Sequence, residues 1–426
     1  MTGEKSGRNW MVPIQPEITT LITRALTAII ILLALAFSAQ AQTFTVLYTF
    51  TGNADGAFPS VTPVLDSSGN VYGGTDENSQ LTCKKFCGNV FEVTPAGVET
   101  TLYTFNGGIH GYGPSGLAFN KAGTLYGTTG FGGPGAYGLL FKVRATNKIT
   151  VLHHFPAQAG DGELPGYIFF DPTSNLYGVA GQGGTGCNGY GCGTVFKFDK
   201  HNKETSIDLS ESAWAPSGLV RDAAGNLYGT TINGGGIGCG GIGCGTVFKI
   251  DTSGNLTVLY AFQGAPDGSI PEGSLALDSA GNLYGTTWEG GDSQICPQSG
   301  CGTVYKIDFS TGKETVLHVF KIADGLFPTG GVIIDPSGNL YGTTFGGGTA
   351  PSCQGAGCGT VFKIDTKGNE TVLYSFGSLA DGGFPIAGLV MDKQGNLYGT
   401  ALYGGYAGGS GLCFPSGCGT VFKLTP

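Results

Sequence analysis

Charge is scarce in this sequence. Only 12% of the 426 residues are charged, and the formal net charge at pH 7 is -9. Lysine and arginine never form a run, although a face that binds phosphate groups needs such a cluster. We therefore expect no nucleic-acid partner. The acidic balance favours solubility and identifies no other partner.

Long hydrophobic runs are also missing, with one exception near the N-terminus. Residues 25–37 are apolar, follow Arg24 and precede Ala39-Gln40-Ala41. The run is shorter than the roughly 20 residues that cross a bilayer, but it suits the core of a signal peptide, and small-x-small is a cleavage pattern. We predict a signal peptide over residues 1–41, cleavage near Ala41, a secreted (extracellular or periplasmic) chain and no stable membrane span in the mature chain. An uncleaved anchor is the alternative.

Catalytic motifs are absent as well. Histidine is limited to five residues, and no Ser/His/Asp order, nucleophile elbow or metal-binding histidine pair stands out. We therefore expect no catalysis, no dedicated metal site and no cofactor.

Glycine and apolar residues, by contrast, are abundant. The sequence contains 79 glycines, and 40% of its residues are hydrophobic, unlike a disordered acidic chain. Such a composition is typical of an ordered all-β protein with many tight turns.

Three short phrases recur seven times along the chain. They are Asn-Leu-Tyr-Gly, Val-Phe-Lys and Thr-Val-Leu-Tyr-x-Phe, each with close variants. The third phrase begins near Thr45, Thr100, Thr150, Thr205, Thr257, Thr315 and Thr371. Each unit of some fifty-odd residues reads as four short strands, because β-branched and aromatic residues alternate with Gly, Asp and Asn.

Seven four-stranded units predict a seven-bladed β-propeller over residues 42–426. The phase of the repeat places the Gly-x-x-x-Asp strand at the central channel and the Thr-Val-Leu-Tyr strand at the rim. The chain then enters on a rim strand, 45–50, which completes the last blade and closes the ring.

The repeated GNLYGTT, GCGTVFKID and TVLYSF phrases resemble the GloVer (Gloeobacter–Verrucomicrobia) tandem repeats of exported bacterial proteins. The resemblance covers residues from about 43 to 426. It implies an exported bacterial protein and brings no catalytic residues with it. Anchored members carry a C-terminal anchor, and none follows Phe422-Lys423-Leu424 here, which favours release to the periplasm or the medium.

The cysteines form local pairs before the third strand of a unit, mostly with C-x₄-C spacing. The second unit has neither cysteine, as a bond between the two predicts. Zinc is the rival interpretation, but each loop offers two thiols and no histidine. We predict six disulfides in an oxidising compartment: Cys83–Cys87, Cys187–Cys192, Cys239–Cys244, Cys296–Cys301, Cys353–Cys358 and Cys413–Cys418.

An Asp-Gly-x-x-Pro motif precedes the first strand in five units. A ring of carboxylates near the channel mouth could bind a cation, with calcium the candidate, or a basic ligand; a local Asp-Gly turn explains the same residues. The aspartates, hereafter the Asp-Gly aspartates, are Asp55, Asp161, Asp267, Asp324 and Asp381.

Two units lack the motif and carry unusual residues instead. The second has His110 and Tyr112, and the fourth has Trp214; Trp288 follows the second strand of the fifth unit. Exposed Trp and Tyr could stack on sugar rings or anchor a protein, although drift of the repeat also explains them.

We expect a monomeric extracellular binding module whose ligand is a glycan, a peptide or a surface protein. A metal-dependent lactonase- or lyase-type enzyme that uses the Asp-Gly aspartates is the first alternative. A structural protein of the cell envelope is the second.

Overall fold

The computed structural model describes residues 42–426 except 78–86, 146, 156–161, 190, 237, 293, 295, 297–298, 351–352, 354–356, 378–379, 406–412 and 414–415. Residues Phe44–Thr425 form one compact unit. The predicted signal peptide, Cys83 and Asp161 lie outside the described residues. Within the described residues, no helix has the length and apolar character of a membrane span.

Seven antiparallel sheets follow one another along this unit, which confirms the predicted all-β propeller of seven four-stranded blades. Blade 1 contains β2 (Ala57–Pro59), β3 (Val64–Leu65), β4 (Val71–Glu77), β5 (Asn89–Val93) and β6 (Glu99–Thr104). Blade 2 contains β7 (Tyr112–Phe119), β8 (Leu125–Phe131), β9 (Leu139–Ala145) and β10 (Lys148–His154). Blade 3 contains β11 (Gly162–Phe170), β12 (Leu176–Gly183), β13 (Thr194–Phe198) and β14 (Glu204–Asp208), and blade 4 contains β15 (Trp214–Arg221), β16 (Leu227–Asn233), β17 (Thr246–Ile250) and β18 (Leu256–Ala261).

Blades 5 to 7 have shorter innermost strands. Blade 5 contains β19 (Ala276–Leu277), β20 (Leu283–Thr287), β21 (Thr303–Ile307) and β22 (Glu314–Val319). Blade 6 contains β23 (Val332–Ile334), β24 (Leu340–Thr344), β25 (Thr360–Ile364) and β26 (Glu370–Ser375). Blade 7 contains β27 (Val390–Met391), β28 (Leu397–Ala401), β29 (Thr420–Thr425) and β1 (Thr43–Thr49). Among the described residues, 3-10 turns lie in loops at Gly108–His110 and Cys187–Gly189, and Gly238–Gly241 forms a tight turn in which Cys239 and Gly240 have positive φ.

The ring closes where the sequence predicts. The last blade has the order β1-β29-β28-β27, so the first strand of the chain is its outermost strand. Just after β1, the Phe50 N–H donates to the Gly419 carbonyl at 3.0 Å. The last blade therefore has four strands, and the two ends of the chain are joined in one sheet.

Two of the recurring phrases meet in the core of each blade. In blade 6, Gly342 of the Asn-Leu-Tyr-Gly phrase lies opposite Phe362 of the Val-Phe-Lys phrase. A Cβ at Gly342 would lie 2.5 Å from the Phe362 ring, which is fully buried. The glycine is needed because the aromatic ring packs flat over its backbone.

The Asp-x-x-Gly-Asn segments are hairpin turns held by the aspartate itself. The Asp222 carboxylate accepts hydrogen bonds from the backbone and side chain of Asn226 and from the Tyr228 hydroxyl, at 2.7–3.1 Å. Burial acts to raise the pKa of Asp222, but these hydrogen bonds hold it below its ordinary value. The carboxylate is thus occupied within its own turn.

Five of the six predicted disulfides are present among the described residues and are therefore confirmed: Cys187–Cys192, Cys239–Cys244, Cys296–Cys301, Cys353–Cys358 and Cys413–Cys418. Cys87 is disulfide-bonded too.

Each blade is joined to the next by one repeated contact, hereafter the blade junction. Between blades 5 and 6, the N–H of Phe327, the residue before Pro328, donates to the Cys301 carbonyl at 2.9 Å. The Pro328 ring packs against Gly302, where a Cβ would lie 2.5 Å from the proline Cδ. The junction thus ties the disulfide loop of one blade to the innermost strand of the following blade.

We predict that Gly302→Ala strongly destabilises the protein. Gly302 has φ +94°, which costs an L-residue roughly 1–2 kcal/mol, and the added methyl would overlap both the Pro328 ring and the Thr287 carbonyl at a further cost of about 1–3 kcal/mol. Gly395→Ala is the matched control, because Gly395 also has positive φ (+85°) but nothing within 4 Å of a Cβ. Urea unfolding should show Gly302→Ala losing clearly more free energy than Gly395→Ala; equal losses would mean that the close packing at the blade junction contributes nothing.

Candidate functional site

The innermost strands surround a central cavity of about 560 Å³. Residues of all seven blades line it, and most are apolar or contribute backbone. Its hydroxyl groups are used between blades: Ser115, Ser217 and Thr329 each donate to a backbone carbonyl of the next blade. Among the described residues that line the cavity, none is acidic and none is a histidine.

The structure places the described Asp-Gly aspartates away from this cavity. The hydroxyls of Tyr48, Tyr260 and Tyr374, on the outermost strands, donate to Asp55, Asp267 and Asp381 at 2.6–3.0 Å. Asp324 faces His318 in the same way, with Nε2 and Oδ2 3.3 Å apart. The described Asp-Gly aspartates thus contact the rim of the preceding blade, and none lines the cavity.

A glutamate of the following blade completes each of three such groups, which we call outer clusters. Glu99, Glu314 and Glu370 begin the outermost strands β6, β22 and β26. Burial, followed by the charge of Asp267, raises the pKa of Glu314 to about 7. Burial and Asp55 likewise raise the pKa of Glu99. Two carboxyl groups thus share a partly dry site.

The sequence contains a signal for these clusters that motif reading misses. Where the Asp-Gly motif is absent, the glutamate is absent too, and Ile149 or Leu256 holds its position near the start of the rim strand. Opposite Asp381 the rim strand is β1, where Phe44 stacks on Tyr374 with centroids 3.7 Å apart.

The unusual residues of blades 2 and 4 have different surroundings. His110 is exposed in its helical turn, and Tyr112 stacks on Phe131 at 5.2 Å. Trp214 is half-buried and packs against the core cluster that contains Leu219.

Trp288 belongs to a continuous row of aromatic rings that motif analysis does not reveal. Neighbouring centroids are 5.2–5.9 Å apart, and all six side chains are half-buried. This row, the aromatic arc, crosses blades 5, 6, 7 and 1 in the order Phe327, Trp288, Phe345, Phe384, Tyr403 and Phe58.

The blade junctions position half of the arc. Phe58, Phe327 and Phe384 are the residues before proline, and all three have φ of 57–60°. Trp288 and Phe345 follow the second strands, and their N–H groups donate to Ile270 and Phe327 at 2.9 and 3.0 Å. The arc therefore lies on the face that carries the disulfide loops.

A polar group lies on the same face beyond Phe58. Asp76 lies near the end of β4 in blade 1, at the repeat position that Trp288 holds just after β20 in blade 5. It accepts a hydrogen bond from Ser60 and lines a cavity of about 300 Å³ with Phe131 and Pro114. Burial raises the pKa of Asp76 to about 6.

Fold and site together define a disulfide-stapled seven-bladed β-propeller with an aromatic row on its loop face. Family models identify the repeat: the Gloeobacter/Verrucomicrobia repeat matches residues 34–191 and 171–414. The chain belongs to this family, as the sequence predicts. Curated proteins include no match to the sequence.

Several solved propellers have a similar fold. A streptogramin B lyase has TM-score 0.57 and 11% identity over 90% of this chain and 97% of its own. A catalytically inactive virginiamycin B lyase from Staphylococcus aureus, solved with quinupristin, has TM-score 0.56 and 16% identity over 91% and 100%. The extracellular domain of a B. thetaiotaomicron hybrid two-component system has TM-score 0.54 and 13% identity over 91% and 42%. At these identities the likeness is one of fold.

We predict that Glu314→Gln changes the pH dependence of stability. The folded-state pKa is about 7 against an ordinary 4.5, so the native protein loses stability as pH rises through this interval, and glutamine removes that loss. The melting temperature of the variant, relative to wild type, should rise between pH 5 and pH 8. The exposed Glu211→Gln is the control and should show no such trend. A Glu314→Gln difference that is the same at both pH values would contradict the prediction.

Proposed function

We propose that the protein is an exported, non-catalytic binding module that holds a glycan against the aromatic arc. One observation carries this proposal: six half-buried rings in mutual contact form a continuous apolar surface across four blades. Partly exposed aromatic rings on a rigid frame are typical of recognition surfaces, because they bury large areas at little cost in conformational entropy.

The chemistry around the arc favours a sugar over a purely apolar ligand. Sugar rings present flat C–H faces that pack on aromatic rings and hydroxyls that need acceptors. Asp76 supplies a carboxylate in blade 1, the blade that also carries Phe58, and it lines a cavity with Phe131. A ligand that follows the arc can therefore stack on Trp288 or Phe345 and hydrogen-bond at Asp76.

The composition of the central cavity supports binding over catalysis. A lactonase- or lyase-type reaction needs carboxylates or histidines that converge on a metal, and the described lining of the cavity offers neither. The described Asp-Gly aspartates are engaged at the blade rims instead. On this proposal the protein acts as a monomer without a cofactor, nucleic acid or membrane partner.

The cysteine chemistry and the N-terminal sequence support the proposal that the protein is exported. Several disulfides are consistent with an extracellular protein, since oxidising compartments preserve them. We propose that residues 1–41 act as the signal peptide and are removed near Ala41.

The test is a binding experiment with purified protein and a panel of soluble polysaccharides. The double variant Trp288→Ala/Phe345→Ala should bind the selected polysaccharide at least tenfold more weakly, since two rings are removed from the centre of the arc. Asp76→Asn should weaken binding while leaving every ring in place. Phe309→Ala is the matched control, because Phe309 is an exposed aromatic residue outside the arc.

Melting curves separate lost binding from lost folding, since the arc residues are half-buried. Binding that survives the double variant would refute the arc as the contact surface. If peptides bind through the arc and glycans do not, the face is a recognition surface, but the ligand class proposed here is wrong.

A further inference from the structure

We propose that His318, Asp324 and Glu370 form a site for a divalent transition metal ion such as Zn²⁺. Each residue offers one ligand atom, and these three atoms lie within 4.8 Å of one another. The site lies between the rims of blades 5 and 6 and is independent of the aromatic arc.

The three side chains are held by rigid elements. His318 lies in β22, opposite Val304, and its ring contacts the buried Phe320 edge-to-face at 4.8 Å. The backbone carbonyl of Asp324 accepts from the Thr360 hydroxyl at 2.9 Å. The other oxygen of its carboxylate accepts from the Lys321 N–H at 2.6 Å, which leaves Oδ2 facing His318. The metal-facing atoms are therefore positioned by contacts that do not involve the metal.

Two buried atoms at the site make no hydrogen bond: His318 Nε2 and Glu370 Oε1. His318 Nε2 faces only the Asp324 carboxylate, with Oδ2 3.3 Å away, as an ion pair when the imidazole is protonated. Leaving such atoms unsatisfied costs free energy, and two carboxylates close together add repulsion. A divalent cation would satisfy both atoms and neutralise both charges.

The ligand types select the kind of metal. Imidazole nitrogen with carboxylate oxygens suits Zn²⁺ and its neighbours in the first transition row, whereas Ca²⁺ and Mg²⁺ prefer oxygen ligands only. Three protein ligands leave a fourth tetrahedral position for water.

The same position in other blades provides an internal comparison. Tyr260 and Tyr374 replace the histidine and donate to their aspartates. A tyrosine is therefore compatible with this position in the fold. His153 occupies it in blade 2, where its Nε2 lies 3.2 Å from Glu204 Oε2.

The experiment measures Zn²⁺ binding by titration calorimetry after EDTA treatment and dialysis. The starting protein is His153→Tyr, which removes the histidine at the equivalent position of blade 2 and keeps the proposed site intact. It should bind one Zn²⁺ per chain at this site. Adding His318→Tyr should weaken that binding at least tenfold and abolish the rise in melting temperature that Zn²⁺ produces.

Melting in EDTA shows whether the variants fold, and His318→Tyr should melt close to its parent. If it does not fold, Glu370→Gln replaces it, because this change keeps the side-chain shape and removes a ligand charge. No saturable Zn²⁺ binding to the His153→Tyr protein, or equal binding with and without His318, would overturn the proposal.

Discussion

The ring depends on one hydrogen bond that is repeated at every blade junction. The residue before a proline donates its N–H to the carbonyl that ends the preceding disulfide loop, at 2.6–3.4 Å. The seven donor–acceptor pairs are Phe58–Cys418, Gly113–Cys87, Leu164–Tyr137, Ala215–Cys192, Ile270–Cys244, Phe327–Cys301 and Phe384–Cys358. Only in blade 2, which lacks cysteines, does a tyrosine supply the carbonyl. The disulfides thus stiffen the loops on which the next blades rest, even though closing so short a loop constrains the unfolded chain little.

The same blade junction positions rings of the aromatic arc. Holding Phe58, Phe327 and Phe384 at positive φ costs free energy, and such strain persists where the surroundings enforce it. As a result, the rings of these three phenylalanines lie on the loop face, in contact with Trp288, Phe345 and Tyr403. Blades 2 and 4 have Gly113 and Ala215 at the same position and contribute no ring there. The arc is therefore confined to one side of the propeller by residue type alone.

The sequence predicts what repeats within a unit and misses what forms between units. Strands, blade number, ring closure and disulfides follow from the period, the phase and the paired cysteines. The left-handed residue before proline could not be foreseen, since proline normally drives its predecessor to extended backbone. Trp288 is recognisable as unusual, but its partners Phe327 and Phe345 belong to the next blade. The Asp-Gly motif identifies loops correctly, yet only the structure shows that the side chains turn to the rim.

The outer clusters show how the repeat accommodates paired carboxylates in a partly buried site. In blade 5 a proton relieves the repulsion between the two carboxylates, because burial and the charge of Asp267 raise the pKa of Glu314 to about 7. At the ring closure the second carboxylate is replaced by Phe44, which stacks on Tyr374. Next to blade 6 the tyrosine is replaced by His318, which adds an imidazole ligand to two carboxylates. A proton, an apolar ring and an imidazole thus each limit the repulsion between paired carboxylates. Among the described residues, only the imidazole adds to them a set of ligands for a transition metal.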